Sequence, residues 1–148
     1  METETQLQRF KREGWLSVSQ FRSIYRWMSD DDRFRAGNRL FKDFYYSGIS
    51  AASIPDLAKP QVDGGHNKGM TERQALCLNS FRKALRAIPA EFFPIVQAIV
   101  LDDRNILFTQ TNNSRKKAYF NHLVKQQLCW GLDRLANHYK GGEWKSKT

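Results

Sequence analysis

Residues 121–140 read NHLVKQQLCWGLDRLANHYK, and this stretch has the clearest helical pattern of the 148-residue chain. Its apolar side chains recur every three or four positions and form one stripe, made of Leu123, Val124, Leu128, Leu132, Leu135, Ala136 and Tyr139. This spacing is typical of an amphipathic helix that packs one face against a core. Gly141 and Gly142 are predicted to end the helix. Its start is left open between Ser114 and Asn121.

Two further helices are predicted in the N-terminal third of the chain. Residues 17–28 place four apolar side chains at helical spacing, namely Phe21, Ile24, Tyr25 and Met28. Asp30 and Asp31 are expected to end this helix and to supply the N-cap of the next one, which ends at Gly48. The residues before the first helix are polar. Residues 1–29 are therefore predicted to form an N-terminal helical arm.

The middle of the chain alternates between a loop and helical stretches. Residues 47–69 contain two prolines and several glycines, so they are predicted to form a mobile loop. Thr71 and Gln74 have the spacing of a capping box, which begins a helix that runs to Pro89. Pro89 suits the first turn of a following helix. Pro94 lies about five residues into that helix, where a bend is expected.

Together these elements predict an all-α protein. A short strand at residues 106–109 is the alternative for that stretch, but helix is favoured because no partner strand is visible. Hydrophobic residues make up 41% of the chain, which is enough for a core and argues against wholesale disorder. Residues 30–141 are predicted to form one helical domain, with residues 142–148 as a tail.

Positive charge is concentrated at the C-terminal end. The chain has a formal net charge of +9 and a sequence pI near 9.8. Residues 115–148 hold eight Lys and Arg against two Asp and Glu, so +6 of the excess lies there. Such an excess favours polyanionic partners, with nucleic acid first and an anionic membrane surface second.

The last helix combines an apolar face for packing with a polar, basic face. A helix that enters the major groove of DNA needs both, because phosphates and base edges are bound by the polar face. The predicted nucleic-acid-binding side chains are Arg115, Lys116, Lys117, His122, Lys125, Gln126, Arg134 and Lys140. Two alternatives stay open for this face. It could bind only protein, or it could be an ordinary solvated surface.

Aromatic residues near the N-terminus are candidates for binding a protein partner. Trp15, Tyr25 and Trp27 could anchor such a partner, and the alternative is that they pack on the core of their own domain. Trp130 lies beside the apolar stripe of the last helix and is expected in the core. For Asp133 a functional role competes with a supporting contact at i, i+4, for example to Asn137.

No enzyme, metal or cofactor signature is visible. His66, Cys77, Cys129 and His138 lack the spacing of metal ligands, and both cysteines are expected to be buried and reduced. Asp102-Asp103 is expected in a helical C-terminal turn rather than in a catalytic centre. The chain is thus predicted to be non-enzymatic and to need no cofactor.

No membrane segment or export signal is visible. No stretch approaches about 18 apolar residues, and no apolar leader follows the N-terminus. The sequence therefore predicts a cytoplasmic protein that has no membrane partner.

Two stretches resemble a known family. Residues 131–139, GLDRLANHY, resemble the ending of an alphaproteobacterial domain found in transcriptional activators of gene transfer agents, and residues 34–45, FRAGNRLFKDFY, look like its opening helix. The resemblance spans about residues 33–141. This sequence departs from the family pattern before the last helix, where Tyr119-Phe120 and residues 122–125, HLVK, replace the usual Trp-Pro and Ser-Ala-Lys.

The resemblance implies a helix-turn-helix domain similar to region 4 of sigma factors. It also implies a transcription activator that works at promoters, with double-stranded DNA and with RNA polymerase or a partner activator protein as its partners. The alternative is a protein-only adaptor that binds a DNA-binding partner or a polymerase subunit without touching DNA.

Overall fold

A computed structural model of the chain describes residues 4–49, 71–107 and 115–141. Within these ranges all regular structure is helical, in five α-helices: α1 (Gln6–Arg12), α2 (Asp30–Ser47), α3 (Glu72–Ala87), α4 (Phe93–Val96) and α5 (Arg115–Gly141). A π-helical segment, Gln97–Leu101, continues α4. The predicted all-α class is confirmed. A helix-turn-helix pair is not established, because residues 108–114, directly before α5, lie outside the described ranges.

α5 packs against α2, α3 and α4, and α2 in turn contacts α1, α3 and the π-helical segment. α5 is one helix of 27 residues that passes through Asn121 without a break, which decides the open question of its start in favour of the longer helix. The predicted stripe is buried apart from Leu123, which is half-buried. Leu40 of α2 and Phe81 of α3 meet this stripe in the core and are also fully buried.

Capping side chains fix where α2 begins. The Ser29 hydroxyl accepts a hydrogen bond from the Asp32 backbone N–H (3.2 Å), and the Asp32 carboxylate accepts one from the Ser29 N–H (3.1 Å). The predicted N-cap at Asp30-Asp31 is therefore wrong by one position. The carboxylates of Asp30 and Asp31 lie instead in the first turn of α2, where they interact favourably with the helix dipole. Gly48 ends α2 with a φ of 71°, as predicted.

The capping box that begins α3 is confirmed. The Gln74 N–H donates to the Thr71 hydroxyl (3.1 Å), and the Thr71 N–H donates to the Gln74 side chain (2.9 Å). Pro94 lies in the first turn of α4 and not five residues into a helix, so the expected bend is wrong. A proline fits there because the first turn does not need its N–H. Residues 106 and 107 are neither helix nor strand, and residues 108 and 109 are not described.

The predicted helix over residues 17–28 is wrong, because the structure has turns there. The residues before α2 nevertheless contribute five side chains to the same core as the later helices: Leu7, Phe10, Leu16, Phe21 and Met28. Part of the predicted arm therefore packs into the domain core, and α1 is its one helix in the described range. The predicted loop from residue 50 onward and the tail at residues 142–148 lie outside the described residues.

Close packing at Gly131 carries the first testable prediction. A Cβ atom built on Gly131 would lie 2.7 Å from Cγ2 of the buried Val96, whereas one on Gly37 would lie 2.8 Å from the end of the Leu7 side chain. The branched valine cannot rotate away, but the leucine can. We expect Gly131→Ala to lower the free energy of unfolding by about 1–2 kcal/mol, since about 1–3 kcal/mol of overpacking exceeds the gain in helix propensity. Gly37→Ala is expected to cost less. Urea denaturation measures both, and a stabilising Gly131→Ala would contradict the packing described here.

Candidate nucleic-acid interface

Four of the eight predicted nucleic-acid-binding residues lie on or beside one outer stripe that runs along α5. Exposed and half-buried positions recur every three or four residues along the helix and form one outer stripe: Lys116, Tyr119, Leu123, Gln126, Trp130, Arg134 and Asn137. Arg115 and Lys116 are exposed at the N-terminal end of this stripe. Gln126 is half-buried in its middle, and Arg134 is exposed near its C-terminal end.

Lys125 points away from the outer stripe and covers Trp15. Its Nζ atom lies 4.1 Å from the centre of the Trp15 ring, and the Arg9 guanidinium lies 5.3 Å from the same ring. Burial, and then the charge of Arg9, lower the pKa of Lys125 below its usual value. A predicted DNA-binding lysine and a predicted partner-binding tryptophan thus contact each other through a cation–π pair.

His122 and Lys140 follow the same edge of α5 as Lys125. Lys140 Nζ lies 3.8 Å from the centre of the Trp27 ring, and the His122 ring lies 5.2 Å from that of Phe21. The Tyr25 and Trp27 rings are 5.6 Å apart. Three predicted nucleic-acid-binding residues therefore line the edge where residues 15–28 pack; His122 is exposed there, whereas Lys125 and Lys140 are half-buried.

The remaining predicted residues are placed as follows. Lys117 is half-buried and already interacts with another group of the protein. Trp15, Tyr25 and Trp27 are partly buried against the core cluster, which favours the packing alternative for these three aromatics.

A buried ion pair that the sequence analysis missed joins α2 to α5. The Arg33 guanidinium donates to both carboxylate oxygens of Asp133, at 2.6 Å and 3.0 Å, and the two side chains are 0% and 3% exposed. The same guanidinium donates to the backbone carbonyls of Leu16, Ser17 and Phe21. Asp133 thus has a supporting role, but its partner is Arg33 and not a residue at i, i+4. A signal was present, because Arg33 falls on the otherwise apolar stripe of α2 with Ala36 and Leu40.

Trp130 is more exposed than predicted. It was expected in the core, yet it lies on the outer stripe with 37% of its surface exposed. Its indole N–H donates to the Arg22 carbonyl (3.2 Å), and its ring meets Phe92 edge-on, with 6.0 Å between the ring centres.

Comparisons with known protein families, curated proteins and solved structures find no match to this chain. The resemblance to the gene transfer agent activators therefore stays a prediction. Packing accounts for most of its terminal motif, because Leu132, Leu135, Ala136 and Tyr139 are buried and Asp133 is paired. Arg134 and Asn137 are the two motif residues that face outward.

A cavity of about 520 Å³ lies between α2, α3 and α5. Inside it, Asp43 accepts a hydrogen bond from the Ser80 hydroxyl (2.8 Å) and lies 3.4 Å from Arg39. Burial raises the pKa of Asp43. Burial and then the charge of Lys83 lower the pKa of His138, which also lines the cavity. The sequence did not predict this cavity.

The cysteines differ in environment. Cys129 is buried, and its thiol donates to the Trp15 carbonyl (3.2 Å). Burial raises the pKa of Cys129 to about 12, so the thiolate is scarce at neutral pH. Cys77 is free and half-buried, less buried than expected.

Residues 4–49, 71–107 and 115–141 show neither a metal-ligand cluster nor a membrane-spanning helix. No group of three or more His, Cys, Asp or Glu side chains in those ranges is arranged to hold a metal ion. None of the helices there is both long and apolar enough to cross a bilayer.

Proposed function

We propose that this protein is a non-enzymatic, cytoplasmic transcription regulator that contacts promoter DNA with the exposed N-terminal half of α5. The observation that supports this most is the position of Arg115 and Lys116. Both are exposed at the start of a long helix, in the part of the chain that holds +6 of the net charge of +9. Recognition helices place their N-terminal residues at base edges and phosphates, and Gln126 extends this face by three turns.

The resemblance to gene transfer agent activators supports the same proposal. It adds a helix-turn-helix in which α5 is the recognition helix, and RNA polymerase or a partner activator as the protein partner. The structure changes the set of residues proposed for DNA contact. Arg115, Lys116 and Gln126 are retained, while Lys125 and Lys140 are engaged with tryptophans.

A second candidate is a protein-only adaptor. It is favoured by the exposed apolar side chains of Ile24 and Trp130, which are 71% and 37% exposed. Apolar side chains grouped on a surface favour contact with protein over contact with phosphates.

Binding of duplex DNA at two salt concentrations tests the proposal. We expect Arg115→Glu/Lys116→Glu to weaken binding by about tenfold or more. We also expect it to reduce the slope of log affinity against log salt by about 1.8, the value for two lost phosphate contacts. Fluorescence anisotropy with labelled promoter and unrelated duplexes measures both quantities.

Lys83→Glu/Arg104→Glu is the matched control, because both residues are exposed, both lie outside α5, and the net charge changes equally. Equal binding by the α5 variant and this control would contradict the DNA proposal. A parent protein that binds no duplex at low salt but binds a polymerase subunit would favour the adaptor.

A further inference from the structure

A second surface with its own chemistry lies near the C-terminal end of the outer stripe. Three apolar side chains, Ile24, Phe92 and Trp130, line a concave site of about 160 Å³ together with Arg134 and Asp133. We call these three side chains with Arg134 the Ile24 patch. Ile24 is 71% exposed, although it lies between the buried Phe21 and Met28. An isoleucine this exposed beside an exposed tryptophan is typical of a binding surface.

The patch is held in a fixed shape by its neighbours. The Trp130 indole is anchored to the Arg22 carbonyl and rests edge-on against Phe92. Asp133 contributes to the wall, but its charge is neutralised by Arg33 from within the core. The centre of the patch is therefore apolar and pre-organised, so a ligand would find it without a large cost in side-chain ordering.

Positive charge lies beside this apolar centre. Arg134 lines the site, and Arg22, whose carbonyl accepts the Trp130 N–H, is exposed close to Ile24 in the sequence. Glu91, next to Phe92 in the sequence, is the exposed acid on the α4 side. The arginines outnumber it, so the rim favours a partner that carries negative charge around an apolar core.

The Ile24 patch lies beyond the proposed DNA contact on α5. Gln126, the last residue of that contact, and Arg134 are eight positions apart, about 12 Å along the helix axis. The contact from Arg115 to Gln126 already spans about 16 Å, more than the roughly 12 Å width of the major groove, so Arg134 lies outside it. Arg134 is thus available for a different partner.

We propose that the Ile24 patch is the docking site for an acidic, amphipathic segment of another protein. Its apolar side chains would cover Ile24 and Trp130, and its carboxylates would pair with Arg22 and Arg134. Tryptophan and arginine are the residues that most often dominate binding energy at such sites. This inference rests on the proposed function only for the cellular role of that partner, since docking itself requires no DNA.

Two other occupants fit the patch less well. In a symmetric dimer the same patch would face itself, and Arg22 and Arg134 of one copy would then approach the arginines of the other. An anionic membrane would match the charge, but apolar membrane anchors insert as protruding groups, whereas this site is concave.

Selection from a phage-displayed library of random peptides tests the proposal on the 148-residue chain. We expect the enriched peptides to be acidic, with apolar residues at helical spacing. We expect Ile24→Glu and Arg134→Glu to weaken their binding by about tenfold or more, measured by titration with synthetic peptides. Ile24→Glu should still fold, because an exposed side chain contributes little to stability.

Two control variants separate docking from general attraction to a basic protein. Leu76→Glu replaces another exposed apolar side chain (64% exposed) with the same change in charge, and Lys116→Glu matches Arg134→Glu. Both controls are expected to bind the selected peptides like the parent. Losses equal to those of the patch variants would show general charge attraction and overturn the proposal.

Three further outcomes would also overturn it: selected peptides without net negative charge, binding to anionic vesicles that Ile24→Glu abolishes, or self-association that Ile24→Glu abolishes. Loss of DNA binding with peptide binding intact would leave this inference standing and refute the proposed function alone.

Discussion

Replacing Asp133 by alanine is expected to lower the free energy of unfolding by about 3–5 kcal/mol. The substitution leaves the Arg33 guanidinium, which is 0% exposed, without its counter-charge in the core. Attraction between two buried ions barely exceeds the cost of removing both from water, but an unpaired buried charge has no such compensation. Because domains of this size are stable by only about 5–15 kcal/mol, the loss is a large share of the total. Urea denaturation followed by circular dichroism measures it.

The matched control is the neighbouring residue on the same helix. Arg134 is exposed, so Arg134→Ala is expected to change stability by no more than about 0.5 kcal/mol. Arg33→Met leaves the Asp133 carboxylate unpaired and also removes the hydrogen bonds to the three backbone carbonyls, whereas Arg33→Met/Asp133→Leu lacks the same hydrogen bonds but leaves no buried charge. We therefore expect the double variant to be more stable than Arg33→Met. Equal losses in these two variants would mean that an unpaired charge carries little of the cost.

Arg33 also organises the non-helical part of the chain before α2. Its guanidinium donates to three backbone carbonyls of this segment, those of Leu16, Ser17 and Phe21. These contacts explain why the helical spacing of residues 17–28 failed as a prediction. A pattern of side chains along the chain contains no information about a distant arginine that satisfies the carbonyls in another way, so the tertiary contact overrides the local preference.

The prediction of α5 succeeded for the opposite reason. Its apolar stripe is long, regular and ended by glycine, so local pattern and tertiary packing agree. The capping box at Thr71 and the glycine end of α2 at Gly48 were likewise predictable, because each depends on residues a few positions apart. The N-cap of α2 is Ser29 and not Asp30-Asp31, and Pro94 lies in the first turn of α4. Both positions differ from the prediction by a few residues, because the exact ends of a helix depend on which of several adjacent residues packs against the core.

The candidate site was only partly predictable. Charge asymmetry directed the prediction to the C-terminal end of the chain, where Arg115, Lys116 and Arg134 are exposed. The distribution of charge does not predict which basic side chains are covered. Lys125 and Lys140 contact Trp15 and Trp27, which lie more than a hundred positions earlier in the sequence. The exposure of Trp130 was missed for a similar reason, since its place on the outer stripe depends on how α5 is rotated in the core.

Trp15→Ala is the second substitution with a large expected effect, and it separates support of the fold from partner binding. The Trp15 ring meets Phe10 edge-on, with ring centres 5.0 Å apart, and has Lys125 and Arg9 over it. Large-to-small changes of buried aromatics cost about 3–5 kcal/mol, and the half-buried Trp15 is expected near the lower end, at about 3 kcal/mol. Lys125→Met, which keeps most of the packing but removes the cation, is expected to cost about 1 kcal/mol or less. Urea denaturation of the two variants measures both losses.

Trp130→Ala provides the comparison, because Trp130 is another partly exposed tryptophan that contacts one ring and one carbonyl. We expect it to lose clearly less stability than Trp15→Ala but to lose binding of the acidic peptides selected on the Ile24 patch. Trp15→Ala, measured where it is still folded, is expected to bind those peptides like the parent. The reverse result, with a stable Trp15→Ala that no longer binds peptide, would return Trp15 to the role of partner anchor and contradict its place in the core.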